Sequence, residues 1–125
     1  MTAPRYAYEM EILHRLALHM LNERKARYPQ AVTDGKMSQA QAERGILVMA
    51  EIERIRERSK LQLQRQTVGT IDHKTTATER RDCLAKIAAA TAKVAQASPV
   101  DSGKASYAQA VAAMLWHAEH AVNAS

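Results

Sequence analysis

A core built without phenylalanine and largely from alanine leaves little choice of architecture. Only five aromatic residues (Tyr6, Tyr8, Tyr28, Tyr107 and Trp116) break an apolar set dominated by alanine, and alanine itself is unevenly placed, with 8 before residue 67 and 16 after it. Side chains that small fill space only when backbones approach closely, and alanine is the strongest helix former. The expected class is therefore all-α. A chain of 125 residues can bury roughly two-thirds of its unfolded surface without metal or disulfide support, so one compact unit is expected.

Periodicity and punctuation divide this material into four helices. Thr2 is a candidate cap for a first helix whose apolar stripe runs through Tyr6, Met10, Leu13, Ala17, Met20 and Leu21 at three- and four-residue spacing. Pro29 disfavours the α conformation in the residue before it, which predicts an end near Arg27. Asp34-Gly35 supplies a turn, and Ser38 with Gln41 forms a capping box that starts a second helix over Gln39 to about Gln66. Its core stripe reads Ala42, Gly45/Ile46, Met49 and Ile52, degrades at Arg56 and Ser59, and recovers at Leu63. At 1.5 Å per residue this second helix would span ~42 Å against ~32 Å for the first, leaving its basic end as an overhang.

Residues 67–76 read as a linker, and Thr76 with Glu79 forms a second capping box. Leu84, Ile87, Ala88, Thr91, Val94 and Ala95 stripe the third helix, which Ser98-Pro99 ends. Tyr107, Val111, Met114, Leu115, Ala118 and Val122 stripe the fourth. Short connections make antiparallel neighbours, so the predicted organisation is an N-terminal hairpin over 1–66 and an alanine-rich C-terminal hairpin over 77–125. The two pack as a small four-helix bundle with a long second helix.

Arg24, Arg27-Tyr28-Pro29, Val32, Gly35-Lys36-Met37, Ala42, Ile46, Met49 and Ile52 form a pattern that resembles short helical proteins encoded by bacteriophages and prophages. The resemblance spans residues 24–52, about 30 of the 125, and carries no known chemistry. It implies an accessory protein of a mobile element acting in the cytoplasm of a bacterial host. Cys83 as the sole cysteine excludes an internal disulfide and fits a reducing compartment. No apolar run reaches the ~18 to 20 residues of a membrane span. Glu9, Glu11, His14 and Arg15 interrupt the one region where a signal peptide could sit, so neither secretion nor a membrane partner is indicated.

Candidate chemistry is sparse. His117 and His120 in "WHAEH" share a helix face, but a stable metal site needs a third ligand, and histidines near a helix C-terminus are ordinary surface groups. Cys83, beside Leu84, reads as an inert packing thiol. The four glycines are scattered at 35, 45, 69 and 103, so no phosphate-cradling loop is present. No catalytic residue, metal or cofactor is expected.

Charge is more informative. The net charge is +5, and Arg54, Arg56, Arg58, Lys60 and Arg65 face only Glu57, a local excess of 5 − 1 = +4. On a helical wheel Arg54, Arg58, Leu61 and Arg65, with Leu47 earlier, lie opposite the core stripe. Arginine mixed with exposed leucine suits a protein interface better than a phosphate track. These five residues are the expected partner-binding face. The expected role is a non-enzymatic protein that binds and inhibits or redirects a host protein or ribonucleoprotein assembly, such as a CRISPR defence complex. The alternative is a nucleic-acid-binding accessory protein using the same basic end, although the chain lacks a recognition helix-turn-helix and an aromatic stacking platform. The overhang also offers a surface for homodimerisation through helix 2.

Overall fold

The computed structural model describes residues 3–124. Four helices follow in order, α1 Met10–Thr33, α2 Gln39–Leu63, α3 Ala77–Ala97 and α4 Ser102–Ala124, with no strand among the described residues. α1 packs along α2 and α3 along α4 as two hairpins, which meet through thinner α1–α4 and α2–α3 contacts. The shared core takes Leu13, Ala17, Met20 and Leu21 from α1, Val48, Met49 and Ile52 from α2, Leu84 from α3, and Ala110, Ala113 and Met114 from α4. Among the described residues no helix is long and apolar enough to cross a membrane.

Local chemistry accounts for most helix ends. Ser38 and Thr76 each accept the amide three residues on, while Gln41 and Glu79 reach back to the capping residue's own N–H, so both capping boxes are complete. α1 closes with a Schellman motif: Gly35 takes φ +73°, its amide bonds to the Val32 carbonyl, and the Lys36 amide bonds to Ala31. α2 closes in the same way, but with Arg65 at φ +60° in the position usually held by glycine; the Arg65 amide bonds to Gln62 and the Gln66 amide to Leu61.

Three helix boundaries differ from expectation. Thr2 lies outside the described residues, and α1 begins only at Met10, because Tyr6 at φ +69° turns the chain and Ala7 and Glu9 bond back to Pro4 and Tyr6. At the other end α1 runs through Pro29 to Thr33. The proline removes the bond to the Lys25 carbonyl, and Lys25 is exposed, so water can satisfy that group. α2 stops at Leu63 rather than Gln66, and Leu63 itself is exposed rather than returning to the core. With 24 residues in α1 and 25 in α2 the two helices are nearly equal in length, and the expected overhang is absent.

The α1–α2 turn shows why its residues occur together. Arg24 donates to the Gly45 carbonyl at 2.8 Å and lies 5.5 Å from the centroid of the Tyr28 ring. A Cβ on Gly45 would sit 2.9 Å from Tyr28 Cε2, so this glycine is required by a close approach of the two helices.

Candidate partner-binding groove

The expected face of α2 is not a bare helix surface. Residues 67–75 fold back along it: Arg58 Nε donates to the Gly69 carbonyl at 3.0 Å, and Arg54, Arg58 and Leu61 share a groove with Val68 and Ile71. Arg54 is exposed, whereas Leu47, Arg58 and Leu61 are half-buried. Arg65 leaves the set, because the left-handed turn carries it beyond the helix end. Thus the structure keeps Arg54, Arg58 and Leu61 together, and replaces Arg65 and Leu47 with two apolar side chains from the segment expected to be a linker.

That segment is held at its far end by Glu51, a buried carboxylate. Its oxygens accept from the Lys74 amide at 2.8 Å, the Thr75 amide at 3.2 Å, Thr75 Oγ1 at 2.7 Å and His73 Nδ1 at 3.1 Å, with Arg80 Nη1 at 3.6 Å. Burial alone would push the Glu51 carboxyl up; the donors from Thr75, Lys74 and His73 outweigh it and hold the group below its ordinary value. Sequence periodicity misses this role, since a glutamate between apolar positions reads as solvated until its partners arrive from 22 to 24 residues away. Nearby, Arg44 grips Glu79 with Nε at 2.8 Å and donates Nη1 to the Lys74 carbonyl at 3.1 Å. This pairing raises the Arg44 pKa and lowers that of Glu79, with the hydrogen bond between them the largest cause in both.

The groove carries both signs, with Glu57 and Asp72 on the same lining as Arg54 and Arg58. Glu57 lies 3.6 Å from His14 Nε2 and Asp72 lies 2.9 Å from Lys74 Nζ, so both carboxylates already face cationic or hydrogen-bonding groups. Arg54 has no ion-pair partner among the described residues, and Arg58 meets only a carbonyl.

His14, Glu53 and Glu57 do converge closely enough to hold a cation, a cluster that the sequence did not suggest because His14 lies 39 or more residues from the two glutamates, on another helix. The hydrogen-bond polarity works against that use. Lys60 Nζ donates to His14 Nδ1 at 3.1 Å, so the ring proton sits on Nε2 and is donated to Glu53 at 3.0 Å. A ligating histidine instead offers a bare nitrogen to the metal and its N–H to an outer acceptor. The histidines of "WHAEH" also turn apart: His117 Nε2 donates to the Ala7 carbonyl at 2.6 Å and His120 Nδ1 to the Trp116 carbonyl at 2.7 Å. Cys83 is half-buried and receives Arg24 Nη2 at 3.4 Å, so its thiol is not in a purely apolar setting.

No family model, curated protein or solved structure matches the chain.

Proposed function

We propose that the chain is a non-enzymatic binding protein of phage or prophage origin that inhibits or redirects a host protein assembly, and that the groove between α2 and residues 67–72 receives an acidic segment of that partner. The observation that carries this reading is the composition of the groove: Arg54 and Arg58 have no ion-pair partner among the described residues, Asp72 is already paired with Lys74, and Leu61, Val68 and Ile71 line the same groove. Charge attracts an acidic segment and apolar side chains retain it, the combination found where protein surfaces recognise each other. A CRISPR effector or another defence complex is the class of target that a small mobile-element protein would meet in the cytoplasm.

The test is capture from a nuclease-treated bacterial host lysate, comparing the wild-type chain with Arg54→Glu/Arg58→Glu. A protein captured by the wild type and lost by the variant, with helicity unchanged, supports the proposal. Binding that survives charge reversal overturns the site. Binding that depends on nucleic acid and falls log-linearly with salt, with a shallower slope in the variant, would instead establish a phosphate-backbone partner.

A further inference from the structure

Arg56 lies on the buried face of α2, one turn after Ile52, and only 9 % of it is exposed. Its Nη1 is fully enclosed without a hydrogen-bond acceptor. Burial pushes the guanidinium down from its ordinary value to about 10, so it remains charged at neutral pH. Glu51, five residues earlier, commits its oxygens to residues 73–75 and Arg80 and makes no bond to Arg56. An enclosed charge without an acceptor or counter-ion is costly, and native interiors supply a partner for such groups.

The space for a partner exists beside it. Arg56 borders a cavity of about 40 Å³ where the two hairpins meet, lined by Ile52, Leu84, Met114 and Ala118, with Arg80 on the α3 side and His117 on the α4 side. One water needs about 10–15 Å³ by this measure, so the cavity holds about three waters, or roughly 90 Å³ of liquid volume, enough for a two-carbon carboxylate. Water would satisfy the N–H but not the charge. A phosphate dianion would need more donors than Arg56 alone supplies, because His117 is committed to the Ala7 carbonyl and Arg80 to Thr75 and Glu51, whereas a carboxylate carries one charge and matches the planar guanidinium fork.

We infer that this cavity is a binding site for a small aliphatic carboxylate, its head on Arg56 and its short tail among Ile52, Leu84 and Met114. The site is separate from the α2 groove and does not depend on the function proposed for it. Its ligand would lie between the hairpins and favour their docked arrangement, since a ligand that binds only the folded state stabilises that state.

The probe is sodium acetate, titrated into the full chain with sodium chloride adjusted to constant ionic strength and read by amide and arginine side-chain nuclear magnetic resonance. Saturable shifts at Arg56, Leu84 and Ala118 are expected, with no matching response to ethanol. In Arg56→Met, which preserves side-chain length without the charge, affinity should fall about tenfold or more. A wild-type response no different from the chloride control overturns the inference, as does an undiminished response in a folded Arg56→Met. Should that variant fail to fold, the wild-type contrast between acetate, chloride and ethanol decides alone: saturation by acetate only supports the site, and any other pattern overturns it.

Discussion

The two hairpins are built on different principles. α1 and α2 meet through Leu13, Met20, Leu21, Val48, Met49 and Ile52, and their turn is tied by Arg24, Tyr28 and Gly45. α3 contributes one buried side chain, Leu84, and meets α4 largely through alanines and half-buried residues such as Ile87; further along, Val94 is 49 % exposed. Burying a leucine or methionine contributes about 1.5–3 kcal/mol and an alanine far less, so the second hairpin draws little independent stability from its own core. Its attachment is correspondingly polar: Glu51 and Arg44 of the first hairpin hold residues 73–75 and Glu79 where α3 begins. An alanine-rich hairpin is thus supported from one end.

The largest expected effect is at that end. Glu51→Ala should cost about 3–5 kcal/mol in urea unfolding, because it leaves the Lys74 and Thr75 donors and the Arg80 charge without their acceptor. A loss below about 1 kcal/mol would mean that the second hairpin docks without the clamp. Acidification tests the same carboxylate. Its folded-state pKa is depressed, so its contribution is present above the unfolded carboxylate pKa of about 4.3 and is lost as pH falls through the lower folded value. Wild-type stability should therefore fall more steeply than that of Glu51→Gln below about pH 4.5.

Leu84→Ala comes next, at about 3 kcal/mol, since it empties the only fully apolar anchor of α3. Gly45→Ala sharpens the contrast from the other side. Helix propensity favours the substitution by about 1 kcal/mol, while the clash with Tyr28 costs about 1–3 kcal/mol. A net loss of about 1 kcal/mol is expected, and the sign should reverse when Tyr28→Ala removes the ring. Val94→Ala, at an exposed position of α3, should change stability by less than about 0.5 kcal/mol.

What the sequence disclosed was governed by range. The capping boxes at Ser38 and Thr76 and the turn at Gly35 are local, and their residues suffice to identify them. The end of α1 is not legible locally, because the penalty of Pro29 depends on whether the Lys25 carbonyl faces water, a fact of tertiary exposure. Arg56 was visible as a defect in the α2 stripe, but a periodicity argument has no means of showing that its charge is enclosed. Leu61, Arg54 and Arg58 share a face as the helical wheel requires, whereas Val68 and Ile71 join them only because Glu51 and Arg58 hold the intervening chain against α2. Threonine, glycine and charged residues identified 67–76 as non-helical without revealing what it touches.

The central structural claim is that residues 67–75 form a fixed wall of the α2 groove rather than a loose connection between halves. Native-state amide hydrogen exchange, residue by residue, addresses it directly. The Lys74 and Thr75 amides, bonded to the Glu51 carboxylate, should be protected in the wild type and should lose that protection in Glu51→Gln while the α1 and α2 amides keep theirs. Exchange of Lys74 and Thr75 at unstructured-chain rates in the wild-type protein would contradict the account.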